Sequence, residues 1–421
     1  MSVENNGIQV DIDLKAVLEG GLVGTRFQPI ISMREKAVIG VEALSFGLDP
    51  NQGGVIPPLP LFQEAQSRGL TLELDRVCRE KALAAFAERF GRDSDLLLWL
   101  NLETSILSEQ VVGNGRLLGA VREQGLFPHQ IVIEIVESHL PEVSSLQRFV
   151  EIYKGYGFYV ALDDVGTGHS NLERIARIKP DIIKIDRSLV HDLGREHYRY
   201  EVVRSLRNLA QGIGALVLAE GLETEDEALA VLELGINLHQ GYYYGRPEEY
   251  AAGYRPARAD KMAALAQRFQ TRRMERFAQR QEYYNLIGAG VQAIINDLKR
   301  VVSGGTEETL AKAVQQDQNL ECLYILGLDG VQVSDTVCNY VKLLRPKSLL
   351  FRPAHRGADL SLKDYFLLIK AGLARYVSDP YISQASGNLC VTISTRFSSP
   401  DGRDFILCAD YDCEEQLGSA C

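Results

Sequence analysis

The chain has 421 residues, 46% of them hydrophobic and 24% charged, enough for two packed domains and ordinary for a soluble globular protein. A formal net charge of −11 is the wrong sign for a nucleic-acid polymer as partner, yet leaves room for a small anion held through cations. The start, Met1 to Asn6, has neither the basic stretch nor the apolar core of an export signal, and no apolar run reaches bilayer length; a cytoplasmic protein without a transmembrane segment is expected.

In chain order, Leu14–Leu22 predicts a short amphipathic helix. Phe27–Ile31 and Ala37–Val41 flank the polar stretch Ser32–Lys36, a hairpin pattern that makes the first two strands antiparallel. A Gly- and Pro-rich loop, Gly47–Pro60, precedes helices over Leu61–Arg68 and Asp75–Phe90, the second closed by Gly91. Strands at 96–101, 131–136, 158–163, 181–186, 215–219 and 237–241 then alternate with helices, which predicts a TIM-like (β/α)8 barrel with an antiparallel first strand.

Six apolar runs in this part stop on a polar residue: Val38–Glu42, Leu96–Asn101, Ile131–Glu134, Tyr159–Asp164, Ile182–Lys184 and Leu216–Glu220. Runs this rich in Val, Ile and Leu suit strands buried on both faces, and in such a barrel their C-terminal ends share one mouth. Acids crowded there repel one another unless cations hold them, and an all-oxygen donor set suits Mg2+ or Mn2+.

Residues 251–319 read as a basic, amphipathic helical connector, and 320–421 as a smaller α+β domain. In the latter, Asp329-Gly330 and Pro400-Asp-Gly402 mark two hairpins, and Ser361–Ala374 reads as a helix with Ser361 as N-cap. An antiparallel sheet with helices on one side is expected. The seven cysteines form an odd set without an export signal and read as reduced structural thiols; Cys408 and Cys413 lack the His or Cys partners of a zinc site.

Glu42-Ala-Leu44, Asn101, Glu134–Glu137, Asp163–Ser170, Ile183–Asp186, Ala219–Glu223 and Gln240–Pro247 follow one another as in EAL domains, and about residues 20–250, within a first domain over 1–250, resemble that family of bacterial cyclic di-GMP phosphodiesterases. The resemblance implies two metal ions, Mg2+ or Mn2+, on Glu42, Asn101, Glu134, Asp163, Asp164 and Glu220. Lys184 and Glu220 would be catalytic, Lys184 orienting or deprotonating the attacking water. Gln240 would hold Glu220 or a metal-bound water, and Glu223 would anchor the loop Asp163–Ser170, which contributes to a homodimer. Gln28, Pro29, Leu44, Phe46, Gln240 and Pro247 would meet the substrate.

Phe46 stands where the family carries a phosphate-binding Arg. It could stack on a guanine but cannot replace the charge, so a weak or inactive cyclic di-GMP receptor is the alternative to a phosphodiesterase. With Arg356–Ser361, Asp364–Phe366, Ser378–Ser383, Gly387, Thr392–Ser394 and Cys408–Asp410, residues 320–412 of the second domain resemble Cache/PAS-like sensor domains, in which Arg356, Tyr365, Tyr381 and Asp410 would meet a small polar ligand; a ligandless dimerisation module is the alternative. Salt-bridge or capping roles suit Glu103, Glu137 and Asp186 as well as catalysis does.

Overall fold

The computed structural model describes residues 12–51, 53–92, 94–103, 115–135, 143–166, 171–249, 259–301, 305–339, 341 and 351–412. The chain divides into two compact units, residues 1–271 and 272–421.

In the first unit, α1 (Leu14–Glu19) starts where the Asp13 carboxylate accepts the Ala16 amide at 3.1 Å. Strands β1 (Val23–Ser32) and β2 (Ala37–Leu48) form the expected antiparallel hairpin, with a short β3 (Val55–Ile56) against the end of β2. Helix α2 (Pro58–Ser67) carries proline at its first position, where no amide is needed, and α3 (Thr71–Phe90) follows. Then come β4 (Leu97–Leu102), α4 (Arg116–Glu123), β5 (Ile131–Ile135), α5 (Val143–Gly155), β6 (Tyr159–Val165), α6 (Asn171–Ile178), β7 (Ile182–Ile185), α7 (Arg187–Val190), α8 (His197–Ile213), β8 (Leu216–Ala219), α9 (Glu225–Glu233) and β9 (Leu238–Gln240). Strands β2 and β4 to β9 pair in parallel, and β1 closes the eight-stranded barrel by pairing antiparallel with both β2 and β9. Asp186 caps α7 by accepting the Ser188 amide at 2.8 Å, one of the roles left open for it.

Alternation along the strands sorts side chains into an outer shell and two inner layers. Outward residues such as Leu98, Leu100, Ile133, Leu162, Ile183 and Val217 pack with the surrounding helices. Inward, Ile30, Trp99, Val132, Ala161, Ile182, Leu218 and Leu238 form one apolar layer. Two residues further toward the mouth, a step of about 6.6 Å, each of these strands changes to a polar residue: Gln28, Asn101, Glu134, Asp163, Lys184, Glu220 and Gln240. Glu42 on β2 completes the ring. The fold therefore gathers the polar ends of the runs on an apolar floor.

In the second unit, α10 (Ala259–Leu298, whose first turns belong to the first unit) and α11 (Thr306–Gln316) pack against a sheet ordered β11-β10-β15-β14-β12. Its strands are β10 (Leu320–Leu326), β11 (Val337–Cys338), β12 (Arg375–Val377), β13 (Tyr381–Ile382, on β14), β14 (Leu389–Ser398) and β15 (Asp404–Asp412). The expected helices on one side are corrected. Leu323, Ile325, Ile393 and Leu407 face α10 and α11, whereas Tyr324, Leu326, Ile406 and Cys408 face α12 (Asp364–Lys370) on the other side.

The Ser361 cap is corrected too: its amide donates to Asp359 at 2.9 Å, which turns the chain there, and the helix begins after Lys363. The hairpin at Pro400–Gly402 forms as expected, with Ser398 opposite Asp404. At Asp329-Gly330 the chain reverses, but its return is a single bridge, Gln332 to Leu326, before β11. The five described cysteines are buried thiols outside any disulfide; Cys413 and Cys421 lie outside the described residues.

Candidate active site

Lys184 is 1% exposed, and its ammonium meets three carboxylates: Glu134 at 2.6 Å, Glu220 at 2.6 Å and Asp163 at 3.1 Å. Glu42 accepts from Asn101 Nδ2 at 2.9 Å and from Gln240 Nε2 at 2.6 Å. Gln240 Nε2 also reaches Gln28 Oε1 at 3.3 Å, and Gln28 Nε2 donates to the Gly245 carbonyl at 3.2 Å. The inward residues thus form two adjoining clusters, one of charge around Lys184 and one of amides around Glu42. A bulge in β6 at Asp163-Asp164, with Asp164 at φ 54°, turns Asp164 out of strict alternation beside Asp163. Gly166 follows at φ 118°, where a Cβ would overlap Leu189, so glycine is required there.

Burial is the largest influence on each of these groups, and charge decides what remains. For Lys184 burial opposes the charge, yet Asp163, Glu134 and Glu220 outweigh it and hold the ammonium firmly protonated. Glu134 is pushed well up by burial and by the neighbouring Glu42, against the pull of Lys184. Glu220 rises for the same reasons, with Asp163 and Glu42 as its repelling neighbours. Glu42 alone is lowered: burial would raise it, but Lys184 and its two amide donors prevail. Asp164 is raised by burial, Asp163 and Asp186.

The ring thus carries four carboxyl groups against one ammonium and is short of positive charge. Among the described residues no three of His, Cys, Asp and Glu converge on an open point, because Lys184 stands where three of them face. The donor chemistry nonetheless fits a hard divalent ion: every candidate ligand offers oxygen, the charge deficit is what such an ion supplies, and the buried Glu134 Oε2 has no hydrogen-bond partner.

Residues 12–247 match the EAL domain family, more than half of the chain. The chain belongs to the EAL domain family. Over 243 residues it is 30% identical to the cyclic di-GMP phosphodiesterase PdeR of Escherichia coli, covering 56% of this chain and 36% of PdeR, so it spans little more than a third of that relative. The EAL-domain protein YkuI of Bacillus subtilis is 26% identical over 381 residues, 87% of this chain and 90% of YkuI. The crystal structure of YkuI, in complex with substrate c-di-GMP and calcium, superposes with a TM-score of 0.80 at 24% identity, covering 95% of this chain and 99% of that one. The likeness to YkuI in fold therefore extends well past the EAL domain.

Several residues of this EAL domain stand elsewhere than expected. Gln240 holds Glu42, and not Glu220, because β9 closes on β1 beside β2. Pro29, opposite Val41, follows the outward alternation of Phe27 and faces away from the ring. Pro247 is half-buried, one residue before Glu248, which bridges to Phe27 of β1. Leu44 lines a cavity of about 220 Å3 that also borders Asn101, Glu103 and the Asp75–Arg79 pair. Glu223 pairs with Arg187 at 3.0 Å. Of the loop it was expected to anchor, Gly168, His169 and Ser170 lie outside the described residues, as does Glu137. Phe46 is 5% exposed, with Arg26 over its ring, so it has no open face for a base. Arg26 was not among the expected site residues, because the predicted strand began at Phe27, whereas β1 starts at Val23.

In the second unit Tyr365, Tyr381 and Asp410 share the α12 side of the sheet, and Arg356 does not join them: it pairs with Glu307 of α11 at 2.8 Å. Thr392 Oγ1 donates to Asp410 at 2.7 Å and accepts from the Tyr381 hydroxyl at 2.6 Å. Burial pushes Asp410 up to about 7, against the pull of the Thr392 bond. Its folded value lies above its unfolded one, so its contribution to stability is full below pH ~4 and is lost as pH climbs through about 7. Asp410→Asn should therefore match the wild type near pH 4 and exceed it at pH 8, by up to about 4 kcal/mol. Denaturation midpoints at pH 4, 6 and 8 measure this; a difference that does not widen with pH rules it out.

Proposed function

We propose that the chain hydrolyses cyclic di-GMP to linear pGpG using Mg2+ or Mn2+, as a homodimer whose second, Cache/PAS-like unit regulates the barrel and takes a small polar ligand. The observation that carries the reading is Lys184 enclosed by Glu134, Asp163 and Glu220 beside the Glu42–Asn101–Gln240 chain. EAL phosphodiesterases use divalent metal ions, which supply Lewis-acid activation of water and of the phosphodiester. Here Glu42, Asn101, Glu134 and Asp163 would hold one ion, with Asp163, Asp164 and Glu220 at a second.

Lys184, held charged by its acids, suits electrostatic work over proton abstraction: it orients Glu134, Asp163 and Glu220 and offsets charge that develops on the phosphoryl oxygens. Glu220, the most exposed of its three partners at 21%, would accept a hydrogen bond from the attacking water. The apolar floor of Trp99, Val132 and Ile182 keeps solvent from the ring from below. Gln240 and Asn101 fix Glu42 by bonding both of its oxygens.

Incubating the protein with cyclic di-GMP and Mg2+, then Mn2+, and separating the products should give pGpG, abolished by EDTA and restored by either ion. No pGpG with either ion from folded protein removes the catalytic reading. Phe46 favours a second reading, a receptor that binds without cleaving; saturable binding in divalent metal without product would establish it.

A further inference from the structure

Beyond the polar ring, β1 and β2 continue to pair, with Arg26 opposite Leu44 and Gly24 opposite Phe46. The alternation that aims Gln28 and Glu42 inward puts Arg26, Gly24 and Phe46 on that same face, nearer the rim. The Phe46 ring fills the space that Gly24 leaves: a Cβ at Gly24 would overlap it. The Arg26 guanidinium lies over the ring, 4.6 Å from its centre. Stacking on an aromatic face fixes the plane of a guanidinium and leaves its N–H edges pointing sideways.

The other anchor is loose. Arg26 Nε stands 3.6 Å from Glu249, and the two side chains are 41% and 52% exposed, so the pair contributes little. The corresponding positions two residues beyond Lys184 and Asn101 hold Asp186 and Glu103, both acidic. A phosphodiester entering here approaches a ring of acids, and Arg26 is the cation that β1 places at its edge.

We propose that Arg26 is a substrate-binding residue: its guanidinium, stacked on Phe46, donates charge-assisted hydrogen bonds to a phosphate oxygen of the cyclic dinucleotide. The contact comes from β1 because β2 carries the platform in place of a cation. The inference rests on the cyclic di-GMP reading of the barrel, so its test must separate the two.

Cyclic di-GMP is titrated in Ca2+ into the wild type, R26A, R26K and the double variant R26A/F46R, with thermal midpoints measured in parallel. R26A should bind about ten- to a hundredfold more weakly, the loss of one charge-assisted contact. R26K, which keeps the charge without the planar fork, should fall between. The double variant should recover most of the loss, because F46R restores a cation to the rim; a purely structural role for Arg26 would not respond in this way. R26A binding as tightly as the wild type, or a folded double variant no better than R26A, overturns the proposal and leaves the phosphodiesterase reading in place. A wild type that binds no cyclic di-GMP overturns both.

Discussion

Lys184→Ala is expected to lower kcat on cyclic di-GMP by about 10^3-fold, an effect at the upper end for removing one preorganised charge from a reaction site. The argument is geometric. Three carboxylates from three strands take their position from one ammonium, at 2.6, 2.6 and 3.1 Å. Without it, Glu134, Asp163 and Glu220 repel one another, and the oxygens offered to metal and water lose their arrangement.

The same substitution should cost stability, about 3–5 kcal/mol for breaking a buried ion pair from one side. Glu134 and Glu220 already hold their protons to higher pH when folded than when unfolded. Groups raised in this way lose their contribution to stability as pH rises, and deleting the cation raises them further. The stability deficit of Lys184→Ala should therefore be smaller at pH 5 than at pH 8. Single-turnover rates and thermal midpoints at both pH values check both halves; wild-type turnover by the variant would mean that Lys184 only supports the barrel.

Much of the barrel was legible because its strands follow simple local rules. Trp99 and Asn101, Val132 and Glu134, Ile182 and Lys184 are each two residues apart, so a change from apolar to polar at a strand's end marks the height at which the floor gives way to the ring. What stayed hidden depends on pairing between strands. Nothing in Phe27–Ile31 or Ala37–Val41 alone says that Gly24 will face Phe46, yet that register decides where Arg26 lies. Gln240 reads as a partner of Glu220 until the barrel closes β9 onto β1 and brings Glu42 nearer.

In the second unit the error had the opposite origin. Strands β14 and β15 carry Thr392, Ser394 and Asp410 on one face, a polarity that suggests solvent. These groups hydrogen-bond across the two strands and the sheet packs α12 over that side, so helices cover both faces. The expected Ser361 cap failed because the helix starts only after Lys363, leaving Ser361 in a turn where its amide donates to Asp359.

Glu42→Ala carries the second large effect. Both oxygens of Glu42 are engaged, one by Asn101 Nδ2 and one by Gln240 Nε2, and burial notwithstanding the group is held below its ordinary value. A carboxylate kept ionised and fixed by two amides is the best prepared of the proposed metal ligands. Its removal should reduce kcat/KM by about 10^3-fold, of the order of 4 kcal/mol, and raise the Mg2+ or Mn2+ needed for half-maximal turnover. The partly buried Asn101 amide would also lose its acceptor, costing about 1–3 kcal/mol, whereas Gln240 Nε2 keeps Gln28 Oε1 at 3.3 Å. Gln240→Ala keeps Glu42 and its Asn101 bond, so it should lower metal affinity only about ten- to a hundredfold. The order of the two variants is the discriminating result: a ligand must matter more than the amide that positions it. If Glu42→Ala turns over with the metal dependence of the wild type, Glu42 holds the barrel wall together and the ion sits elsewhere in the ring.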